Sequence, residues 1–317
     1  MPETKFRKIN NLIGWLLFSV ALLTYGLTVE PTASYWDAGE YISTSAKLQV
    51  GHPPGAPFFQ MMGAVFSMFA SNNESIAIAV NFLSVVSSAF VILFLFWSTT
   101  LFLKKISKKN NFTNDTNILL SSSIGALAFT FSDSFWFNAV ETEVYALAML
   151  FLSATFWCGL RWEKDFNNKR GDKWLLLICF LIGLSFGVHF MAILTIPAIG
   201  MIYFFKKYKK ITIKNFVLAN IISVSILLFI FKLLLPSTLS LFGQLEVFFV
   251  NSIGLPFNSG TIIAAFLIVF FFYKSLSYTR LKGMVQANTL ILCILFIFIG
   301  FSSWLMLPIR SNANTVI

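Results

Sequence analysis

The sequence predicts an all-α polytopic membrane protein with about nine transmembrane helices. Hydrophobic residues make up 57% of the 317 residues and charged residues only 11%, whereas a soluble domain carries roughly a quarter charged residues. Long apolar runs alternate along the chain with shorter polar breaks. Lys and Arg concentrate in every second break, which is the distribution expected of cytoplasmic loops. The net charge of +10 is therefore a topology signal and gives no support for nucleic-acid binding.

The first apolar run, Leu12–Val29, follows the basic residues Lys5, Arg7 and Lys8. It is long enough to cross a bilayer, which takes about 17–25 residues. No small-residue cleavage site follows it, so we interpret it as an uncleaved anchor and not as a signal peptide. The other predicted spans are Ile76–Leu103, Ile118–Ser132, Val144–Leu160, two short passes within Trp174–Phe205, Phe216–Leu235, Thr261–Tyr273 and Ala287–Leu307.

The basic residues test this topology. With the N-terminus inside, 20 of the 23 Lys and Arg residues fall in cytoplasmic segments, and the exceptions are Lys47, Lys232 and Arg310. The run Trp174–Phe205 lies between two basic clusters, so it must cross an even number of times. Because each pass is then short, we expect a tight or partly broken hairpin with His189 near its outer turn.

The first outer loop, from Glu30 to about Ser75, is the longest connection, and a long structured loop is usually functional. Its Gly and Pro residues between 51 and 57 predict a rigid turn between two helices. The second of these, Ala56–Ala70, is apolar, but counting it as a span would reverse the charge rule. We interpret it as an amphipathic or re-entrant helix on the outer face.

Two acidic pairs follow the ends of apolar runs. In "YWDAGEY", Asp37 and Glu40 fall on one face of a continuing helix, together with Lys47. Alternatively, Ser34 and Asp37 form a capping box that only starts the helix. Glu141 and Glu143 open the fourth span, where Asn138 and Glu141 have the spacing of an N-cap box.

Four segments carry a resemblance to a known family: "YWDAGEYISTSAKLQVGHPPGAPFF", "NAVETEVYAL", "GLSFGVHFM" and "LPIRSNAN". The first is specific, and the others are weak on their own. Together they resemble the bacterial family, domain of unknown function 2723, that is related to the eukaryotic protein O-mannosyltransferase transmembrane protein 260. The acid soon after the first span, followed by membrane-parallel helices, also resembles the GT-C membrane glycosyltransferases.

The resemblance implies a single GT-C-like helical domain over residues 1–317, with the active site in loop 30–75. Family members continue into a large outer region, so we expect this chain to be truncated before it. It also implies an inverting transfer of a hexose, mannose by analogy, from a polyprenyl phosphate to Ser or Thr hydroxyls of translocated proteins. The expected location is the bacterial inner membrane, with the N-terminus in the cytoplasm and the active site on the periplasmic face.

Such a reaction needs a base near the acceptor hydroxyl. Asp37 is the candidate base by its place in the loop, and Glu40 then orients a sugar hydroxyl or holds the loop; which acid acts stays open. The leaving phosphate needs cations or hydrogen-bond donors. Outer-facing candidates that bind substrate are Lys47, His52, His189 and Arg310, with Glu141, Glu143 and Tyr145 beside the fourth span.

Each of these candidates has a structural alternative. Arg310 closes an apolar helix, where arginine is often an interfacial anchor. His189 is a functional-site candidate by its depth in an apolar hairpin, or a histidine satisfied by a neighbouring carbonyl. His52 precedes two prolines and could brace the turn. The two acids of the fourth span could complement the helix dipole.

The expected partners are the polyprenyl-phosphate sugar, the acceptor protein and membrane lipids. No His, Asp and Glu cluster has a spacing that compels a metal, and no nucleotide-type Gly-rich loop is present. We expect no required cofactor and leave the role of a divalent ion open. The alternatives are transfer to a lipid or glycan, or a transporter or scaffold without chemistry; transporters usually place charges within their spans.

Overall fold

The fold is entirely helical. The computed structural model describes residues 1–110, 114–168, 171–311 and 313. Helices make up 82% of the structure, and the described residues contain no strand. The α-helices in these ranges are α1 (Glu3–Leu27), α2 (Ala38–Ala46), α3 (Pro57–Ser67), α4 (Ile76–Asn110), α5 (Asp115–Thr130), α6 (Asp133–Val140), α7 (Val144–Asp165), α8 (Asp172–Ser185), α9 (Ile196–Lys207), α10 (Ile213–Leu228), α11 (Leu235–Val247), α12 (Ser259–Leu281), α13 (Val285–Phe301) and α14 (Met306–Ser311).

The chain is a polytopic membrane protein. Seven helical stretches of the described residues are long and apolar enough to cross a membrane, and an eighth is added if α5 and α6 form one span bent by 64°. With 14 residues, α8 is shorter than the roughly 17 residues that a full span needs. With α8, the described residues contain nine apolar helical segments, which is the predicted number of crossings. At most eight of these segments are long enough to be full spans.

The predicted end of the seventh crossing, Phe216–Leu235, is wrong. The span expected to end at Leu235 continues as one helical stretch, Ile213–Ser252. Its continuation begins with a π-helical segment, Phe229–Leu234, and Pro236 then lies in the first turn of α11. The regular α-helical hydrogen bonding is therefore already interrupted by the π-helical segment before the proline, and the helix continues past it. Glu246, expected in an outer loop, lies in this continuation.

The predicted hairpin between the two basic clusters is present. α8 forms its first arm, and a 3₁₀ turn, Phe190–Thr195, leads into α9 as its second arm. His189 comes immediately before the 3₁₀ turn in extended backbone. The irregular turn explains how so short a sequence reverses direction within an apolar environment.

Ion pairs gather four helix ends that the charge rule assigns to one side. Glu163 near the end of α7 pairs with Lys105 of α4 and, at 3.7 Å, with Lys206 of α9. Lys164 lies 3.5 Å from Glu3 at the start of α1. The basic ends of these helices therefore lie at the same end of the bundle, as the charge distribution predicts.

The first outer loop is a packed structure at the other end of these helices. As predicted, it contains two helices, α2 and α3, separated by a turn rich in Gly and Pro. Tyr41 of α2 and Phe59 of α3 are buried against Leu83 of α4 and Leu147 of α7. With 11 residues, α3 is too short to cross a bilayer, in agreement with the re-entrant or amphipathic interpretation.

Two glycines bring α8 and α13 into backbone contact. A Cβ atom on Gly183 would lie 2.1 Å from the carbonyl oxygen of Ile297, and one on Gly300 would lie 2.3 Å from that of Phe180. Small residues let membrane helices approach this closely and gain van der Waals contact. The crossing holds the hairpin, and therefore the segment around His189, against the rest of the bundle.

Candidate active site

The loop turn folds back so that His52 contacts both acids of "YWDAGEY". Its backbone N–H donates to Glu40 Oε1 at 2.6 Å, and its ring Nδ1 lies 2.9 Å from Glu40 Oε2. Because a carboxylate only accepts, Nδ1 carries the proton. Nε2 lies 3.8 Å from Asp37 Oδ2. Gly51 permits this turn, since a Cβ there would lie 2.7 Å from Gln60 Nε2.

The contacts between His52 and Glu40 favour the charged form of both side chains. The hydrogen bond to Glu40 is the main cause that raises the pKa of His52, while partial desolvation opposes it and the charges of Glu40, Asp37 and Glu143 add to it. The backbone N–H of His52 lowers the pKa of Glu40. Glu40 therefore holds the turn as a carboxylate, and both of its oxygens are used.

The second acidic pair lies beside the first. Glu143 is only 7% exposed and accepts hydrogen bonds from the backbone N–H groups of Asp37 and Val144. Burial, followed by the charges of Asp37 and Glu141, raises its pKa to about 7. Glu141 is 4% exposed and accepts a 2.5 Å hydrogen bond from Ser34 Oγ. Burial raises its pKa, and the bond from Ser34 opposes the rise.

Both predicted capping boxes are therefore wrong. Ser34 bonds to Glu141, 107 residues away, and not to the start of α2. Asp37 occupies the N-cap position of α2 without a side-chain capping bond. Asn138 lies inside α6 and bonds to Ser134, while Glu143 takes the N-cap position of α7.

Asn81 is a site residue that the sequence analysis missed. Its Nδ2 donates to the carbonyl oxygens of Glu30 and Thr32 at 2.6 and 3.0 Å, and its Oδ1 accepts from the hydroxyl of Thr142. It therefore ties the start of the loop to the start of α7. An amide side chain within the predicted span Ile76–Leu103 is the sequence signal that could have found it.

The other two family-like segments hold the far side of the loop. Arg310 Nε donates to the Leu48 carbonyl at 2.6 Å, and its Nη2 lies 3.3 Å from that of Lys47. The N–H groups of Phe58 and Phe59 donate to the Gly187 carbonyl at 2.7 and 3.1 Å. Segments far apart in sequence therefore converge on one loop. Asn312 and Asn314 of "LPIRSNAN" lie outside the described residues.

His189 and Tyr145 extend the site along α7. Tyr145 is 45% exposed, and its ring centre lies 5.8 Å from that of His189. Burial lowers the pKa of His189, so the imidazole is neutral near pH 7. Its Nδ1 is buried and has no hydrogen-bond partner among the described residues, so the alternative of a histidine satisfied by a carbonyl is not supported at that atom.

A cation-binding arrangement is present that sequence spacing did not reveal. Asp37, Glu40 and His52 offer ligand atoms that all lie within 4.8 Å of one another. Carboxylate and imidazole groups suit several divalent metals. Glu40 and His52 already bind each other through two hydrogen bonds, which a bound ion would have to replace in part.

The buried acids predict a pH-dependent stability. Glu143 has a pKa of about 7 when folded and 4.5 as its ordinary value. Its contribution is fully present below about pH 4.5 and is lost as the pH rises through about 7. We expect the melting temperature in detergent to fall from about pH 5 to about pH 8, and less steeply in Glu143→Gln, which cannot ionise there. Parallel curves for the two proteins would contradict this assignment.

Most of these site residues lie within a region of the chain that matches a known protein family. The N-terminal domain of protein O-mannosyl-transferase TMEM260 matches residues 37–212. The similar proteins include protein O-mannosyl-transferase tmem260 of Dictyostelium discoideum, 30% identical over 158 residues, and TMEM260 of Mus musculus, 26% identical over 170 residues. These matches cover 49% and 53% of this chain, but only 18% and 22% of the relatives.

No solved structure matches the chain. The matched region starts at Asp37 and includes Glu40, His52, the two acids before α7 and His189, whereas Arg310 lies beyond it. More than half of the chain thus falls within the family domain. The chain belongs to the family defined by the N-terminal domain of protein O-mannosyl-transferase TMEM260.

Proposed function

We propose that this chain is the membrane module of a protein O-mannosyl-transferase. It takes mannose from a polyprenyl-phosphate sugar and transfers it, with inversion, to Ser and Thr hydroxyls of proteins on the outer face of the membrane. The names of the relatives support the sugar and the acceptor class. The GT-C resemblance supports the lipid-linked donor, and the charge distribution supports an outer position for the loop. The resemblance to the bacterial family supports the inner membrane as the location.

The observation that carries the proposal is one accessible carboxylate in a cluster of four acids. The Asp37 side chain is 54% exposed. Both carboxylate oxygens of Glu40 accept hydrogen bonds from His52. Glu141 and Glu143 are buried and have hydrogen-bond partners. Asp37 is therefore the acid that an acceptor hydroxyl reaches without breaking a hydrogen bond, since its nearest partner, His52 Nε2, lies 3.8 Å away. Inversion needs only one such base, placed opposite the leaving group.

The surrounding groups hold this base in place. Glu143 accepts the backbone N–H of Asp37, and Glu40 fixes the turn that carries His52. Arg310 donates to two loop carbonyls, so its role in this proposal is to hold the loop and not to bind the phosphate. Precise placement of a base and acceptor contributes to rate because it removes the entropic cost of bringing them together.

The location of the charges favours a transferase over a transporter. The four acids lie in the outer loop and immediately before α7, at one end of the helices. A coupled transporter places such groups near the middle of the membrane, between broken helices. Transfer to a lipid or glycan uses the same base, so the acceptor class must be measured.

The donor experiment tests the function directly. Membranes that contain the full-length parent protein receive labelled mannose, either as polyprenyl-phosphate mannose or as GDP-mannose, together with acceptor protein. We expect labelled protein from the lipid-linked donor, with an anomeric configuration opposite to that of the donor. Label from GDP-mannose without a lipid-linked intermediate, label only in lipid or glycan, or a retained configuration would each contradict the corresponding part of the proposal.

A further inference from the structure

An apolar cleft adjoins the candidate site. It has a volume of about 430 Å³ and lies between the bent pair α5–α6 and the first turns of α7. Its walls include Phe129, Phe135 and Met149, and Tyr145 stands among its lining residues. Because α7 is a candidate membrane span and α5–α6 together form a candidate span bent by 64°, the cleft lies between two apolar segments of the membrane bundle.

Two of the polar side chains that line the cleft make local hydrogen bonds. Ser132 Oγ donates to the Phe129 carbonyl at 2.9 Å, and Asn138 Nδ2 donates to the Ser134 carbonyl at 2.9 Å. These bonds occupy the Ser132 hydroxyl hydrogen and one hydrogen of the Asn138 amide. A cavity with apolar walls and few polar groups available for hydrogen bonding favours a hydrocarbon ligand.

One end of the cleft is continuous with the candidate site. Tyr145 lines the cleft and also contacts His189, with their ring centres 5.8 Å apart. Glu143, two residues earlier, accepts the backbone N–H of Asp37. Tyr145 and His189 supply hydrogen-bonding groups at this end, whereas the surface of the cleft is otherwise mostly apolar.

We propose that this cleft binds the first isoprenoid units of a polyprenyl phosphate, with the phosphate at the Tyr145 and His189 end. The inference rests on the proposed function, because it assigns a place to the lipid-linked donor. A hydrocarbon chain with a single polar head fits both the apolar walls and the polar end. The head then lies beside the segment that carries Asp37.

The second large cavity provides the comparison. It has a volume of about 530 Å³ and is lined by residues of α7 to α10 and α13, among them Trp162 and Ile222. Trp162 lies next to Glu163, which pairs with Lys105 and Lys206 at the opposite end of α7 from Glu143. This cavity is also apolar, but none of the four acids of the candidate site is among its lining residues. A hydrocarbon chain that binds apolar surfaces without selectivity would therefore occupy both cavities.

Photolabelling tests the inference without requiring turnover. Full-length protein in liposomes receives a polyprenyl phosphate with a diazirine on its second isoprene unit, and the labelled peptides are mapped by mass spectrometry. We expect label in α5–α6 and the first turns of α7, competed by unlabelled polyprenyl phosphate. Met149→Trp, which fills the cleft, should reduce this label about tenfold, whereas the matched variant Ile222→Trp in the second cavity should leave it unchanged.

The outcomes separate this inference from the proposed function. Label that is distributed equally over both cavities, or that phospholipid competes as well as polyprenyl phosphate does, overturns the inference. Mannose transfer from the lipid-linked donor without label in the cleft overturns it too, and leaves the function standing. Competed label in the cleft of a protein that transfers no mannose supports the binding site and removes the proposed function.

Discussion

Asp37→Asn should lower mannose transfer by the full-length protein by at least about a hundredfold, which is the lower end of the usual contribution of a general base. The amide cannot take the proton of the acceptor hydroxyl. The change should leave folding intact, because the Asp37 side chain makes no capping bond to α2 and Asn is as good an N-cap residue as Asp. Initial rates and the amount of folded protein in the same membranes are the two measurements.

Two isosteric variants serve as controls for that result. Glu40→Gln keeps an acceptor for the His52 backbone N–H, and Glu143→Gln keeps one for the N–H of Asp37. Each should lose less than about tenfold, because each residue positions the loop and does not accept the proton. A hundredfold loss in Glu143→Gln, together with an active Asp37→Asn enzyme, would move the base to Glu143.

Gly183→Ala should destabilise the fold by more than about 3 kcal/mol, the upper end of the usual cost of overpacking. The added Cβ would lie 2.1 Å from the Ile297 carbonyl oxygen. A backbone atom cannot rotate away as a side chain can, so α8 and α13 must move apart along their whole contact. The expected observation is a large fall in the melting temperature of the purified protein, or its absence from the monodisperse fraction.

Gly125→Ala is the matched control. Gly125 also lies within a membrane helix, α5, but an added Cβ meets nothing within 4 Å. Alanine is about 1 kcal/mol better than glycine in a helix interior, so this variant should be as stable as wild type or slightly more so. Equal melting temperatures for the two variants would show that α8 and α13 do not touch through their backbones as described.

Much of the fold could be predicted because hydrophobic length and charge act locally along the chain. The first and fourth spans, the hairpin around His189 and the two loop helices all follow from such patterns. The continuation past Leu235 could not be predicted in this way. A proline reads as a helix end in sequence, and only the structure shows that Pro236 lies in a first turn after a π-helical segment.

The sequence indicated which residues are candidates for the site, but it did not indicate their hydrogen-bond partners. Asp37, Glu40 and Glu143 were identified because acids are rare in this chain. Local spacing, however, also allowed capping boxes for Ser34 with Asp37 and for Asn138 with Glu141. The true partner of Glu141 is Ser34, and that of Arg310 is the loop backbone. Sequence spacing cannot show which loops meet across a helical bundle, so such pairs require the structure.

The two hydrogen bonds from Arg310 to the loop carbonyls form late in the synthesis of the chain. Arg310 follows its partner Leu48 by 262 residues. At the usual 5–20 residues per second, translation separates them by roughly 13–52 s. During that interval the loop acids are already synthesised, but the loop lacks the two hydrogen bonds from Arg310. The loop therefore acquires these two bonds only after α13, which precedes Arg310 in the chain, has been synthesised.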